Sequence, residues 1–294
     1  MRYGFGIDLG GTTVKLAFFA EDGEMLTKWE IPTVTDNCGQ GILADIATAV
    51  LAYLEKENIP KSQLLGIGIG VPGPVDEKGI VPACDNLGWG RTDVVSELSR
   101  LTGLPVKAGN DANMAALGEC WKGSGCDNMV LVTLGTGVGG GIIINGKPLV
   151  GKNGAAGEIG HLVMNREETL ICGCGKKGCA EQYCSATGLV RMAKNYAEAK
   201  DVFDAAKAGD EMAQTVLEQY FAYLAELIAN VCIVLNPEKV VIGGGVSKAG
   251  QPLLDGIARH FAKYIYHSSK DVEFALATLG NDAGAYGAFK LLLD

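Results

Sequence analysis

The stretch Gly6-Ile7-Asp8-Leu9-Gly10-Gly11-Thr12-Thr13-Val14-Lys15 reads as two strands, 3–9 and 14–19, folded back on each other through a glycine turn. The same plan returns near the middle of the chain. Met129–Leu134 is an apolar strand, Gly135-Thr136-Gly137 turns, and Gly139–Ile144 runs back. As sequence the likeness is slight, but as strand, glycine turn and strand it is plain. It predicts two α/β domains built on one plan, each presenting a glycine hairpin to a shared cleft. A third glycine run, Gly243-Gly244-Gly245, follows the strand Lys239–Ile242.

Working outward, Ile42–Leu54 carries an apolar stripe at helical spacing, and Leu65–Val71 is a β-rich run stopped by Pro72-Gly73-Pro74. Leu104–Ala108 reads as a strand that leads through Gly109-Asn110-Asp111-Ala112-Asn113 into a helix ending near Trp121. Glu211–Leu235 is a long helix without Gly or Pro, stopped by Asn236-Pro237. A further helix starts near Pro252, and Gly284–Leu293 closes the chain. These segments predict a smaller N-terminal α/β domain of residues 1–112 plus 281–294. A larger C-terminal α/β domain spans 113–280.

Composition narrows the function. The 294 residues include 48% hydrophobic side chains, enough to bury two cores. A net charge of −9 opposes nucleic acid and anionic membranes as partners, since both favour a basic face. Met1-Arg2-Tyr3-Gly4 runs straight into a strand pattern, so no targeting segment is expected. No apolar stretch is expected to approach the roughly 20 residues of a membrane span. Nine cysteines without a leader point to a reducing cytoplasm rather than a disulfide frame.

The cysteines that carry chemistry are Cys172, Cys174 and Cys179, in Cys172-Gly-Cys174-Gly-Lys-Lys-Gly-Cys179-Ala-Glu181, with His161 upstream in Gly157-Glu158-Ile159-Gly160-His161. Three sulfurs and one imidazole make a full ligand set for structural Zn²⁺. Metal binding would draw the flanking acids Glu158 and Glu181 together. Cys184 is a weaker competitor as ligand.

The glycine turns at Gly10, Gly11, Thr12 and Thr13, at Gly135, Thr136 and Gly137, and at Gly243, Gly244 and Gly245 bring backbone N–H groups close to an anion. None is a Walker A loop and none fits a dinucleotide fingerprint. Asp8 beside such an anion nest would need a cation as go-between, and Mg²⁺ suits that role. Lys15 is either a solvated strand lysine or a further positive charge at a phosphate site. Asp111 is either part of a helix N-cap cluster or a base accepting a hydroxyl proton during phosphoryl transfer.

Set in order, several motifs resemble one family. These are Asp8–Lys15, Pro72-Gly73-Pro74, Asn86-Leu87-Gly88-Trp89, Asn110–Asn113, Leu134–Gly141, Gly157–His161, Cys172–Glu181 and Val241–Val246. Together they are similar to the ROK family (repressors, open reading frames, kinases), in its bacterial glucokinase branch, over nearly the whole chain. The resemblance implies a two-domain actin-like (ribonuclease H-like) ATPase fold, with ATP and sugar meeting in the cleft. It implies Asp111 as the base that deprotonates the sugar 6-hydroxyl. Gly73, Asn86, Asn110, Asp111, Glu158, His161 and Glu181 would bind the sugar, with His161 also a zinc ligand. The three turns would handle the phosphates and adenosine of ATP with Mg²⁺, and the chain would form a homodimer.

The function so implied is ATP-dependent phosphorylation of a hexose, glucose first. Fructose, N-acetylmannosamine or N-acetylglucosamine are alternatives, because a one-residue pocket change is worth only about 1–3 kcal/mol. A sugar-responsive repressor of the same family would need a DNA-binding domain ahead of Gly6, and the charge opposes it. A non-catalytic sugar sensor conflicts with the presence of both Asp8 and Asp111.

Overall fold

The structure is a computed structural model that describes residues 2–124 and 126–293. Met1 and Asp294, which bound the expected domains, lie outside the described residues, as does Gly125. The chain opens with β1 (Tyr3–Leu9), β2 (Thr13–Ala20), β3 (Met25–Pro32), a single turn α1 (Asp36–Gly39) and α2 (Ile42–Lys56). Next come β4 (Leu64–Val71), β5 (Ile80–Val81), β6 (Thr92–Asp93), α3 (Val94–Thr102), β7 (Val106–Asn110) and α4 (Asp111–Lys122). The middle holds β8 (Met129–Leu134), β9 (Val138–Ile144), β10 (Lys147–Pro148), α5 (Glu181–Cys184), α6 (Ala186–Ala193) and α7 (Ala199–Lys207). The remainder is α8 (Glu211–Leu235), β11 (Lys239–Gly243), α9 (Gln251–Phe261), β12 (Glu273–Leu276) and α10 (Ala283–Lys290).

Two compact units divide these elements. The first takes the chain up to Asp127, Gly141–Ala156 and everything from Asn281 onward. Its sheet has the order β3-β2-β1-β4-β7, antiparallel through the first three strands and parallel from β1 to β7. Alternation sets the faces. Phe5, Ile7 and Leu9 of β1 join Val14, Leu16 and Phe18 of β2 in a core closed by Ile42, Ile46 and Val50 of α2. Each such side chain contributes roughly 1.5–3 kcal/mol on burial. On the other face Gly6 and Gly68 let α10 lie directly on β1 and β4. A Cβ at either would come within 2.1 Å of the Ala285 carbonyl or 1.7 Å of the Ala288 carbonyl.

The second unit comprises Asn128–Gly140 and Gly157–Gly280. Its sheet reads β10-β9-β8-β11-β12, with β11 parallel to both β8 and β12. Strand β9 runs on past Gly140 into the segment grouped with the first unit, where β10 pairs with it antiparallel. Helix α8 is capped by the Asp210 carboxylate, which accepts from the Ala213 N–H. It stops at left-handed Asn236, ahead of Pro237. Leu217, Tyr220, Leu224, Leu227 and Ile228 are its buried stripe.

One sequence expectation is amended here. The 25 residues of α8 are long and apolar enough by composition to cross a membrane, although more than half of the relevant window is buried in the protein. The interior of the fold, not a shortage of apolar length, accounts for that hydropathy.

Candidate active site and metal cluster

In the first unit the β1–β2 register sets Asp8 opposite Lys15, and the Lys15 Nζ donates to Asp8 Oδ2 at 3.0 Å. The lysine charge is therefore matched to a carboxylate rather than left as a solvated strand residue. The turn between the strands closes with the Gly10 N–H donating to the Thr13 carbonyl, and Thr33 Oγ1 donates to the Gly10 carbonyl. Gly284 at the start of α10 leaves room for Asp8, since a Cβ there would lie 2.8 Å from its Cγ.

The β7–α4 junction places Asp111 next to the helix cap. Asn110 is the cap: its Oδ1 accepts from the Asn113 N–H at 3.1 Å. The Asn110 Nδ2 donates to the Gly73 carbonyl and to Asp111 Oδ1, both at 3.0 Å. That oxygen also accepts from the Ala112 N–H at 2.8 Å. Asp111 thus begins the helix with its carboxylate oriented by amide donors, and it also takes one of the helix's first free N–H groups. Gly73, Asn110 and Asp111 are brought together, with Cys84 buried beside Gly73. Burial pushes the Cys84 thiol up.

Asn86 sits in an exposed turn at Asp85–Leu87, whose Leu87 is buried. This turn is fastened from outside. The Trp89 indole N–H donates to the Gly39 carbonyl at 3.0 Å. Asn37 and Cys38, just before it, both adopt left-handed backbone conformations, which are costly for side-chain-bearing residues.

In the second unit His161, Cys172, Cys174 and Cys179 place their ligand atoms within 4.8 Å of one another. The Cys174 and Cys179 sulfurs are 3.6 Å apart, and Cys172 Sγ is 3.8 Å from His161 Nδ1. Tetrahedral zinc with bonds near 2.3 Å to sulfur and 2.0–2.1 Å to nitrogen requires edges of about 3.5–3.8 Å, which these two separations match, and three sulfurs with one imidazole suit that ion. The imidazole turns its other nitrogen, Nε2, toward Glu158 Oε2 at 3.9 Å. Burial pushes the Cys179 thiol up to about 12, which a bound cation would offset by taking the place of the proton.

The interleaved glycines make this loop possible. At Gly178, with φ of 73°, a Cβ would lie 1.7 Å from the Asn165 carbonyl. Cys184 falls outside the group: it is fully buried, and the Tyr220 hydroxyl donates to its carbonyl.

Glu181 joins the cluster to a glycine turn. Its Oε1 accepts from the Cys172 thiol at 3.6 Å, and its Oε2 accepts from the Val138 N–H at 3.1 Å. A Cβ on Gly137 would lie 2.3 Å from that Oε2, so residue 137 is a glycine because the carboxylate occupies the space. The turn itself is held by three bonds. Gly135 N–H donates to the Gly137 carbonyl, Ala186 N–H to the Gly135 carbonyl, and Thr187 Oγ1 to the Thr136 carbonyl. The run at Gly243–Gly245 lies beside it, since Gly244 would drive a Cβ to 2.5 Å from the Leu134 carbonyl. The turns at 135–137 and 243–245 therefore lie side by side at the C-terminal ends of the adjacent parallel strands β8 and β11.

Sequence reasoning missed a group behind this edge. Glu168 and Asn165, from the loop before Cys172, meet Tyr183 of α5 and Arg191 of α6. No motif flags them. Their only trace in the sequence is an aromatic two residues past Glu181.

The profile of the ROK family matches residues 4–294. A glucokinase of Halalkalibacterium halodurans is 46% identical, covering 97% of this chain and 93% of its own. A glucokinase of Thermotoga maritima is 36% identical over 98% of this chain and 96% of its own. Among solved structures, a ROK family glucokinase from Streptomyces griseus in complex with glucose and AMPPNP superposes with a TM-score of 0.79. It is 32% identical and covers 98% of each chain.

Proposed function

The chain belongs to the ROK family, and from that premise we propose that it transfers the γ-phosphoryl group of ATP to the 6-hydroxyl of a hexose, with glucose as the main substrate. Its fold is the two-domain actin-like ATPase fold of these sugar kinases. The observation that carries the reading is the division of labour at the β7–α4 junction, where Asn110 caps the helix and steers the Asp111 carboxylate.

In this reading the hexose O6–H gives its proton to Asp111 as the O6–P bond forms, and the bond from Pγ to the bridging oxygen breaks to release ADP. A positioned base of this kind contributes on the order of 10²–10⁴-fold. Gly73, Asn86 and Asn110 take sugar hydroxyls together with Glu158, His161 and Glu181. The turns at 10–13, 135–137 and 243–245 offer peptide N–H groups to phosphates and adenosine.

Asp8 would hold Mg²⁺, directly or through water, which supplies charge neutralisation at the phosphates when bound, and Lys15 would add positive charge at the same phosphates. His161, Cys172, Cys174 and Cys179 would hold Zn²⁺, which supplies structure alone. With Nδ1 facing the thiols, His161 keeps Nε2 for a hydroxyl. All nine cysteines are free thiols, which suits the cytoplasm. A homodimer completes the proposal, to be read by light scattering.

The deciding experiment measures ADP release with Mg·ATP across hexoses and N-acetylhexosamines. The highest kcat/KM is expected on glucose. Turnover confined to an amino sugar overturns the substrate assignment, and absence of turnover on every sugar overturns the kinase.

A further inference from the structure

We infer that Glu168 is a positioning residue for Glu181, acting through Tyr183 and the peptide of Leu170. The inference rests on the proposed role of Glu181 in holding hexose. Glu181 opens α5, a helix of only four residues with no side-chain cap at its start. An isolated turn of that length does not hold itself together in water. Its orientation must be set from outside: the Tyr220 hydroxyl holds the Cys184 carbonyl, Tyr223 packs on the Tyr183 ring, and Glu168 anchors the Tyr183 hydroxyl.

One carboxylate oxygen of Glu168 accepts from the Thr169 and Leu170 N–H groups at 2.8 and 3.0 Å. The other accepts from the Tyr183 hydroxyl at 2.5 Å and from Arg191 at 3.3 Å. Asn165 donates to the same hydroxyl at 2.9 Å. Arg191 also donates to the Gln182 carbonyl at 2.8 Å and stacks over the Tyr183 ring. Gln182 then closes the circuit, accepting from the Cys179 N–H and donating to the Leu170 carbonyl.

The N–H and the carbonyl of Leu170 are thus both fixed two residues before Cys172, whose sulfur lies 3.6 Å from Glu181 Oε1. The side chain of Glu168 is only 10% exposed and Tyr183 is buried, so the bond between them is shielded from bulk water. Glu168, with Tyr183, Gln182 and Arg191, ties the loop before Cys172 to α5 and α6.

The test is steady-state kinetics of Glu168→Gln and Tyr183→Phe, with Glu181→Gln as reference and zinc content measured on each protein. Glu168→Gln keeps the size of the side chain, and Tyr183→Phe keeps the ring that packs on Arg191. Each is expected to raise the hexose KM about tenfold, the worth of one buried charge-assisted bond. The ATP KM, kcat and zinc content should stay within twofold. Combined with Glu181→Gln, neither should add to the effect of that substitution. If Glu181→Gln raises the hexose KM while both other variants leave it within twofold, the positioning role is overturned and the binding role of Glu181 survives. If Glu181→Gln itself has no effect, both fall. A parallel loss of kcat, ATP affinity and zinc would assign Glu168 to general folding and overturn the inference.

Discussion

Gly137→Ala separates a turn that cradles phosphates from a turn that seats a carboxylate. The added methyl would sit 2.3 Å from Glu181 Oε2, whereas ordinary contact begins at 3.4 Å. The turn cannot retreat without breaking its bonds to α6 through Ala186 and Thr187. The carboxylate must therefore move about 1 Å, which ends its 3.1 Å bond to the Val138 N–H. A lost hydrogen bond to a charged group costs about 1.5–3 kcal/mol, and a misplacement of that size costs up to about 100-fold. The hexose KM should rise between about 10- and 100-fold, with the ATP KM changed far less. Initial rates of ADP release, with each substrate varied in turn, give both constants. Glu181→Asp in the same protein shortens the offending side chain and should recover part of the loss. A hexose KM within twofold of the parent, beside a tenfold rise for ATP, would refute the reasoning.

Asp111→Asn should still bind hexose in a calorimetric titration while kcat falls about 10²–10⁴-fold; near-normal turnover would remove Asp111 from the base role. Metal analysis should find about one zinc per chain. Its chelation should lower Tm and raise the hexose KM until zinc is restored, and a zinc-free protein with full glucose affinity would sink the cluster's role. The Tyr183 hydroxyl, followed by the Leu170 and Thr169 N–H groups and Arg191, holds the Glu168 carboxyl at about 2, well below its ordinary 4.5. Because the folded value is depressed, this contribution to stability is whole above pH 4.5 and fades as pH falls toward 2. Urea midpoints of Glu168→Gln and its parent should accordingly differ at pH 7 and converge by pH 2, whereas a constant gap would contradict the assigned cause.

What the sequence made legible was local. Helix α8 has the predicted bounds, Glu211–Leu235, because its cap, its lack of Gly and Pro, and its Asn-Pro stop are all written in neighbouring residues. The four candidate zinc ligands were legible for the same reason: three share one glycine-rich loop, and His161 lies only 11 residues ahead of the first. Helix α3 went unread although its signals were present, with Asp93 accepting from the Ser96 N–H and left-handed Gly103 at its end. Strands β3 and β12 also went unread; β3 alternates between half-buried and exposed positions, with Trp29 and Ile31 packing only partly buried against the core. The site was harder where contacts cross long stretches of chain. Nothing near Gly137 announces a carboxylate 44 residues later, and Glu168 meets Tyr183 only after the loop folds back. The Asn110 cap explains why Asp111 was ambiguous, since both residues suit a helix start and only the bonding tells them apart.

The bond from Val138 to Glu181 ties the turn at 135–137 to the carboxylate proposed to hold hexose. A ligand that firms this turn also firms the seat of the sugar. Linkage then works in both directions: whatever factor bound nucleotide adds to hexose affinity, hexose must add to nucleotide affinity. Such reciprocity bears on economy in the cell, because water is always present as a rival phosphoryl acceptor. On the proposed roles, hexose held by Glu181 would firm the turn that takes the phosphates, and so favour ATP use when sugar is bound.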